Sequence, residues 1–257
     1  MGFVDRLSNS WRLFKTSFSF IKRDKTLIFI PVFMLFSMMI LFFLFVNFVF
    51  WRFGSSGFTI VYGAVFLLVA YVWSTFLAAM QSWMVYEVAQ GKDTTMAAGF
   101  KRAFGNIGDI VAYALVFFFI TLIINFLKKE GGRAGEIGGG ILQEVSGVAG
   151  KLILPAMIVT ERNFWDALKQ LGQALKAIPE IAFYEVGSRP FFSLLMIIFG
   201  LIGVGFMMVF GVIIGISFIL IMLFLLMVLS ILVDQIYYTL LYLTLIEKKK
   251  VKGLKLR

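Results

Sequence analysis

The chain alternates between long apolar runs and shorter stretches in which charged residues recur. The apolar runs cover about residues 27–50, 58–86, 107–127, 138–160, 191–210 and 213–246. A helix needs roughly 20 apolar residues to cross the hydrocarbon core of a bilayer, and several of these runs reach that length. The pattern predicts an all-α fold: a polytopic membrane helix bundle with about six transmembrane helices, forming one integral membrane domain over residues 1–257.

The last two runs form a single apolar tract from Phe191 to Ile246, which fits two crossings better than one. Gly211 and Gly215 offer places for a tight turn, because glycine adopts backbone conformations that other residues disfavour. We therefore predict that the fifth and sixth helices meet at this pair of glycines.

Composition supports the membrane class. Hydrophobic residues make up 61% of the chain, charged residues make up 15%, and the mean hydropathy is +0.96. Soluble domains contain roughly 45–50% apolar residues. A soluble bundle of this composition would also need polar helix faces, and the apolar runs lack them.

The distribution of basic residues predicts the orientation. With six crossings, both termini lie on one side, and 19 of the 24 Lys and Arg residues fall in the segments on that side. Only four fall in the segments on the other side. Because basic residues concentrate in the cytoplasmic segments of membrane proteins, we expect a multi-pass protein of the cell membrane with both termini cytoplasmic.

Three segments on the cytoplasmic side carry apolar residues at helical spacing, as expected for amphipathic helices at the membrane surface. The three stripes are Phe3, Leu7, Trp11, Phe14, Phe18 and Ile21; Met96, Phe100, Ala103, Phe104 and Ile107; and Phe164, Leu168, Leu171, Leu175 and Ile178. Asn163 with Asp166 resembles a capping box, and Thr94 or Thr95 would cap the second helix.

The second and third of these segments align with each other at a shift of 71 residues, which places Phe100 on Leu171 and Ile107 on Ile178. The alignment covers residues 84–110 and 155–181. It indicates a weak duplication of a unit made of a span, an amphipathic helix and a span. The alternative is that any two basic amphipathic helices align this well.

Three ionisable residues fall within the predicted spans: Glu144, Lys151 and Asp234. Ionisable groups at membrane depth are costly and often functional. Asp234 precedes Ile246, the end of its span, by 12 residues or roughly 18 Å of helix. This puts Asp234 near mid-membrane unless the helix tilts or its last turns leave the bilayer. One interpretation is a structural ion pair between Lys151 and Asp234, and the other is a polar path lined by all three residues.

Glycines and amides suggest where helices pack. The stretch GGRAGEIGGG at 131–140 is predicted to be a flexible external loop, and SGVAG at 146–150 and GVIIG at 211–215 offer small-residue faces for close packing. Three amides are predicted to form hydrogen bonds between helices: Asn47, Gln81 and Asn125. Each such bond is worth about 1 kcal/mol or less.

The basic residues of the cytoplasmic side form a collar that suits the headgroups of anionic lipids. The collar comprises Arg12, Lys15, Lys22, Arg23, Lys101, Arg102, Lys169, Lys176, Lys248, Lys249 and Lys250. The alternative is that these charges only set the topology, which needs no specific lipid. The net charge is +10 without a recognised nucleic-acid-binding motif, so we expect the lipid bilayer as partner and no nucleic acid. A homo-oligomer or a protein partner stays open.

The chain contains no cysteine and no histidine. It therefore lacks the commonest general base, the thiolate nucleophile and the commonest metal ligands. No pair of acids or other nucleophile motif replaces them. We expect no catalytic residues, no metal site and no cofactor, and we predict that the protein is not an enzyme.

The chain resembles a family of bacterial and archaeal six-helix membrane proteins in two stretches, SNSWRLFKTSFSFIKRDKTLIFIP and ILPAMIVTERNFWDALKQLGQALK. That family is related to the membrane domain that is fused to some glycerophosphodiester phosphodiesterases. The resemblance implies the six-span architecture and a biochemical role that is not known. Since these 257 residues include no soluble phosphodiesterase domain, the resemblance implies no phosphodiesterase activity.

Two functions are consistent with these features. The first is a membrane-organising or assembly role without catalysis, indicated by the basic amphipathic helices and the sparse intramembrane charge. The alternative is a small permease or channel with a polar path lined by Glu144, Lys151 and Asp234. An intramembrane enzyme acting on lipid is disfavoured, because histidine, cysteine and paired acids are missing.

Overall fold

The computed structural model describes residues 3–52, 58–170 and 178–252. These residues are 91% helical and contain no strand, which confirms the all-α prediction. The helices are α1 (Phe3–Arg23), α2 (Phe29–Arg52), α3 (Phe58–Ala89), α4 (Met96–Gly105), α5 (Ile107–Glu130), α6 (Gly132–Thr160), α7 (Phe164–Lys169), α8 (Ile178–Phe210) and α9 (Val212–Leu241). A 3-10 turn, Lys25–Ile28, precedes α2, and a π-helical turn, Tyr242–Ile246, follows α9.

Six of the helices are long and apolar enough to cross a membrane, which confirms the predicted number of spans. They pair as three antiparallel hairpins, α2/α3, α5/α6 and α8/α9. We call the end that carries α1, α4 and α7 the basal end. The opposite end, where α5 turns into α6 and α8 turns into α9, is the distal end.

The predicted flexible loop at 131–140 is wrong, because these residues are helical. Gly131 alone joins α5 to α6, and Gly132 has a φ of +56°. The two helices touch along this stretch: a Cβ on Gly135 would overlap the carbonyl oxygen of Leu127. Glycine every four residues is typical of close helix packing, and here it serves packing rather than flexibility.

The predicted turn between the last two spans lies at Gly211, which has a φ of +96°. Gly215 then lets α9 approach α8, because a Cβ there would lie 2.7 Å from the backbone nitrogen of Met207. Next to this contact, Phe206 stacks on Phe218 with 4.8 Å between ring centroids. The distal part of the α8/α9 interface is therefore apolar and closely packed.

The main core of the protein lies at the basal end. α8 begins at Ile178, well before the apolar run predicted from residue 191, and its first turns pack against α1 and α9. α9 also contacts α3 and α6. Together with the π-helical turn that follows it, α9 supplies the largest fully buried side chains: Tyr237, Tyr238 and Tyr242. At the distal end, by contrast, Met208 and Ile213 are 83% and 82% exposed.

α1 packs across the bases of α8 and α9, so it does not lie only at the membrane surface. Its buried residues include Ser10, Leu13 and Ser17, whereas Leu7 and Trp11 of the predicted stripe are 46% and 56% exposed. The helix therefore has one face on the protein and another facing outward. The sequence pattern misses the first face because small polar side chains form part of it.

α4 and α7 begin at predicted caps. The Thr95 hydroxyl accepts a hydrogen bond from the Ala98 N–H at 3.1 Å, and the Asn163 side chain accepts one from the Asp166 N–H at 2.8 Å. α3–α4–α5 and α6–α7–α8 share the order long, short, long. Residues 171–177, on which the predicted duplication and third stripe depend, lie outside the described residues.

Candidate functional site

A polar cluster joins α6, α8 and α9. The Lys151 ammonium donates hydrogen bonds to Glu185 Oε1 at 2.9 Å and to Asp234 Oδ2 at 3.1 Å. The two residues that are predicted to pair across the fourth and sixth spans are therefore in contact. The side chains of Lys151 and Asp234 are 40% and 36% exposed, and that of Glu185 is 16% exposed.

Tyrosine hydroxyls add donors to both carboxylates. The Tyr184 hydroxyl donates to Asp234 Oδ1 at 2.5 Å, and the Tyr238 hydroxyl donates to Glu185 Oε1. The Lys151 ammonium also lies 4.6 Å from the ring centroid of Tyr238, in cation–π geometry. Charge-assisted hydrogen bonds of this kind offset the free-energy cost of removing charges from water.

A groove reaches the cluster from the basal end. Tyr184 stacks on Tyr237 with 3.7 Å between ring centroids, and the Tyr237 hydroxyl lies 3.1 Å from Ser10 Oγ of α1. Between α1 and α8, beside these residues, a groove of about 130 Å³ opens. Its lining residues are Leu7, Ser10, Trp11, Phe14, Phe183, Tyr184, Gly187 and Ser188.

Sequence reasoning misses Glu185. The residue precedes the apolar run that starts at 191, so the hydropathy pattern assigns it to a surface segment. In the structure α8 starts at Ile178, and Glu185 lies two turns into it. No periodic pattern in the sequence points to Glu185 as a site residue. Only the register of α8 against α9 brings it next to Lys151.

Glu144, the third predicted member of the path, belongs to α6 by its backbone. Its side chain lies outside the described residues. Seven residues separate Glu144 from Lys151, or about 10 Å along the helix toward the distal end. No contact of the Glu144 side chain therefore enters the description of the site.

Two of the three predicted interhelical amides behave differently from expectation. The Asn47 amide donates to Phe43 O within its own helix, and the buried Gln81 Nε2 has no partner among the described residues. Gln235 of α9 makes the interhelical bond instead, donating to Ser82 Oγ of α3 at 2.6 Å.

Within the candidate spans Gly135–Thr160 and Val212–Ile246, Lys151 and Asp234 lie nearer the middle than the basal end, whereas Glu185 lies at the basal end of Phe183–Phe210. Phe224 of α9 packs against Phe36 of α2, with 5.4 Å between ring centroids. Asp234 is ten residues, about 15 Å, closer to the basal end than Phe224. The last turns of α9 lie in the basal core, and the mid-membrane position of Asp234 stays a prediction.

A polar cleft of about 260 Å³ lies between α5 and α6 and includes Lys151. It is lined by Tyr71, Tyr113, Phe117, Thr121, Ile124, Asn125, Gln143, Ser146, Gly147, Gly150 and Lys151. Seven of these eleven residues have a polar side chain. Polar groups that face hydrocarbon without partners are costly, so a cleft with this lining suits water or a polar solute.

Small residues create the space in the cleft. A Cβ on Gly147 would meet nothing within 4 Å, whereas one on Gly150 would lie 2.7 Å from the Tyr113 hydroxyl, where the helices close. Tyr71 closes the α3 side of the cleft. It lies two residues from Trp73, whose ring N–H donates to Ser37 near the middle of the α2 span. The cleft therefore reaches from the distal half of the hairpin to mid-span.

The polar groups of the cleft are partly engaged. The hydroxyls of Thr121 and Ser146 donate to carbonyl oxygens of their own helices at 2.8 Å and 3.1 Å, which leaves oxygen lone pairs available. Toward the distal end, the Lys128 ammonium donates to Gln143 Oε1 across the hairpin. Asn125 completes the lining at this outer end.

No protein-family model, curated protein or solved structure matches this chain. Within residues 3–52, 58–170 and 178–252, no three carboxylate, histidine or cysteine side chains lie close enough together to hold a metal ion. The function therefore has to be inferred from the cluster and from the two openings that reach it.

Arg102, predicted at the membrane surface, turns inward. Its side chain is 18% exposed, and it donates to Glu161 Oε1 at 2.5 Å and to the Ile158 carbonyl at 2.8 Å. The guanidinium also lies 4.6 Å from the ring centroid of Trp83. Arg102 thus ties α4 to the end of α6 and to α3.

Other residues of the predicted collar also contact the protein. Arg23 donates to the Lys252 carbonyl at 2.8 Å, and the Lys249 ammonium lies 5.3 Å from the ring centroid of Tyr86. Arg12 is half-buried, and Lys176 lies outside the described residues. The exposed members of the collar are Lys15, Lys22, Arg23, Lys101, Lys169, Lys248 and Lys250.

Asp24 organises the junction between α1 and α2. Its carboxylate accepts hydrogen bonds from the N–H and the hydroxyl of Thr26, and from the Thr94 N–H at 3.2 Å. Partial burial opposes ionisation, but these hydrogen bonds outweigh it and lower the pKa of Asp24 below its ordinary value of 3.8. The ionised carboxylate therefore stabilises the fold at neutral pH.

Proposed function

We propose that the protein is a small permease or channel, in which a polar path enters the α5/α6 cleft from the distal end and leads to the Lys151–Asp234 pair. The single observation that carries this proposal is the cleft itself, an opening of about 260 Å³ inside the span region whose lining includes seven residues with polar side chains. Of the two functions that the sequence suggests, this geometry favours the second.

The position of the cluster between two openings supports passage rather than a closed pocket. Lys151 belongs to the lining of the distal cleft, and Tyr184, which bonds Asp234, belongs to the lining of the basal groove. The cluster is then the barrier between them. A barrier made of a few side chains can open by rotamer changes, without movement of whole helices.

We propose that the basal end faces the cytoplasm and that the membrane is the cell membrane. The concentration of 19 of the 24 Lys and Arg residues in the basal segments supports this orientation. A solute would then enter the cleft from outside the cytoplasm and leave toward it through the groove between α1 and α8.

Blocking the cleft tests the proposal. Ser146→Trp fills the cleft, whereas Val145→Trp places the same side chain one residue away, at a position that is 48% exposed and is not part of the lining. Each purified variant is reconstituted into liposomes. Permeation of a panel of small solutes is then measured: urea, glycerol, chloride, potassium, sodium and protons.

We expect at least one solute to cross faster than in protein-free liposomes, to stop crossing in Ser146→Trp and to continue in Val145→Trp. Both variants are first checked by size-exclusion chromatography and circular dichroism. The proposal is overturned if no solute crosses, or if the two tryptophan variants reduce permeation equally.

A membrane-organising role is the second candidate, and the outer faces of α1 and α4 favour it. On α4, Met96, Phe100 and Phe104 are 38%, 49% and 61% exposed, beside the exposed Lys101. Apolar residues next to a basic one are typical of a helix at a lipid interface. The contact of the Lys15 ammonium with the Trp11 ring on α1 fits the same role.

The second candidate is tested by charge reversal. Lys15→Glu combined with Lys101→Glu should reduce the amount of anionic lipid that co-purifies, because each basic residue near the surface contributes about 1 kcal/mol of attraction. Lys129→Glu, at the exposed distal end of α5, is the matched control. Equal retention of anionic lipid by all three proteins would argue against a role in organising such lipids.

A further inference from the structure

The two carboxylates of the cluster are not held equally. The Lys151 ammonium lies 2.9 Å from Glu185 and 3.1 Å from Asp234. The Asp234 side chain is 36% exposed and that of Glu185 is 16% exposed. Among the described residues, the only cation within ion-pair distance of Asp234 is Lys151, which it shares with Glu185. Asp234 is therefore the more accessible carboxylate and the one with the weaker hold on a cation.

The charge of the cleft lining selects against metal cations. Lys151 is its only charged member, and it stands directly in front of Asp234. A sodium or potassium ion in the cleft would meet an ammonium before it reached the carboxylate. The ammonium repels the charge of an excess proton as well, but a proton moves along hydrogen-bonded waters and hydroxyls and forms a covalent O–H bond with a carboxylate, which a metal cation does not. The hydroxyls of Tyr113, Thr121 and Ser146 lie in the same lining.

We infer that the ion that passes along this path is a proton, and that Asp234 is the group that binds it. This inference rests on the proposed function, since it requires that water reaches Lys151. In the binding step, a hydronium ion in the cleft transfers its proton to an Asp234 oxygen. An O–H bond forms on the carboxyl, one water molecule is released, and Lys151 stays protonated beside Glu185.

The groups around Asp234 allow the proton to leave on the other side. Tyr184 donates a hydrogen bond to Asp234 Oδ1 and borders the basal groove, so a single side chain separates this groove from the carboxyl. The titratable and charged groups that face Asp234 are Lys151 from α6, Tyr184 and Glu185 from α8, and Tyr237 and Tyr238 from α9. From α1, Ser10 reaches Tyr237.

The test uses the full-length protein in liposomes that contain a pH-sensitive dye. A potassium gradient with valinomycin makes the interior negative, and the rate of internal acidification gives the proton flux. Sodium influx is followed in parallel with a sodium-sensitive dye. The variants are Asp234→Asn, which removes the proposed proton site, Lys151→Gln, which removes the ammonium in front of it, and Glu130→Gln, an exposed carboxylate at the distal end, as the control.

We expect proton flux without sodium flux in the original protein and in Glu130→Gln. Proton flux should fall to the level of protein-free liposomes in Asp234→Asn, and sodium flux should appear in Lys151→Gln. Proton flux that survives in Asp234→Asn overturns the inference, as does sodium flux in the original protein. If the solute panel shows that another solute crosses while protons do not, the inference fails and the proposed function stands.

A spectroscopic measurement covers the case in which a variant fails to fold. Infrared difference spectra of the original protein between neutral and acid pH should contain the C=O stretch of a newly protonated carboxyl. Selective ¹³C labelling of aspartate assigns the band to that residue type. The chain contains five other aspartates that also take up protons in acid, so Asp234→Glu, which keeps the carboxylate charge, should lose one component of the labelled band. A labelled band that is unchanged in Asp234→Glu overturns the inference, whatever the flux results.

Discussion

The hairpins α5/α6 and α8/α9 turn and pack through the same kind of glycine contacts, but their interfaces differ. Both turn at a glycine with positive φ, Gly132 in one and Gly211 in the other, and both continue with a glycine pressed against the partner helix. Gly135 meets the Leu127 carbonyl oxygen, and Gly215 meets the backbone of Met207. Glycine contacts thus fix the two hairpins at their distal ends in the same way.

Beyond these glycines, the two interfaces differ. In α8/α9, Phe206 stacks on Phe218 and a Cβ on Gly203 would overlap the Ile219 side chain, so apolar atoms fill the interface. In α5/α6, most of the residues beyond the contact are polar or small, and the interface opens into the cleft. The comparison shows that glycine brings two helices together, while the side chains between the glycines decide whether apolar atoms fill the interface or it opens into a cleft.

The largest effect is expected where the α5/α6 contact is broken. Gly135→Ala should destabilise the protein by about 3 kcal/mol, because its Cβ would overlap a backbone oxygen that cannot rotate away. A Cβ on Gly138 would meet nothing within 4 Å. Gly138→Ala should therefore stabilise the helix by up to about 1 kcal/mol. Reversible unfolding in mixed micelles measures both free energies. If both substitutions changed the free energy of unfolding in the same direction, the contact between Gly135 and the Leu127 carbonyl oxygen would be contradicted.

The next effect concerns the point where the two hairpins meet. Lys151→Met removes the ammonium that lies between Asp234 and Glu185. A buried ion pair broken on one side costs roughly 3–5 kcal/mol, but the Lys151 side chain is 40% exposed, so we expect about 2 kcal/mol. Adding Asp234→Asn to Lys151→Met should recover part of this loss in a double-mutant cycle. Additive effects of the two substitutions would mean that the ion pair contributes nothing.

The comparison can be tested further by placing a polar side chain in the α8/α9 interface and an apolar side chain in the α5/α6 cleft. Phe206→Ser should destabilise by about 1 kcal/mol, because it removes an aromatic pair from the closely packed hairpin. Ser146→Leu should change the free energy of unfolding by less than about 0.5 kcal/mol if the cleft is filled with water, since nothing there is packed tightly. A large stabilisation by leucine at 146 would indicate that the cleft is a dry cavity.

The smallest effect is a pH dependence at the basal end, away from both distal interfaces. Since the pKa of Asp24 is lowered in the folded state, its contribution to stability is present above about pH 3.8, the ordinary value, and is lost as the pH falls through the lowered pKa. Asp24→Asn should flatten the acid limb of a stability–pH curve without changing the cleft. An unchanged acid limb would contradict the role of its hydrogen bonds.

Hydropathy and cap patterns sufficed to predict the number of spans, the turn at Gly211 and the capping residues Thr95 and Asn163, because these depend on local sequence. They failed for residues 131–140, where composition suggests a loop but the glycines are spaced for helix contact. They also failed for Glu185, since its meeting with Lys151 depends on the register of α8 against α9. The cleft was not predictable from the sequence, because it depends on which faces of α5 and α6 turn toward each other.

The most direct test is a ladder of single cysteines on both hairpins, which is simple because the chain has no native cysteine. Substitutions at Asn125, Gln143, Ser146 and Gly147 report on the cleft, and those at Gly203, Phe206, Met207 and Phe218 report on α8/α9. A membrane-impermeant thiosulfonate is applied to oriented proteoliposomes from the distal side. If the cleft is a wet path, all four cleft cysteines react while Gly203→Cys and Phe206→Cys, on the dry interface, stay unmodified. Equal reactivity in both hairpins, or none in either, would contradict the account.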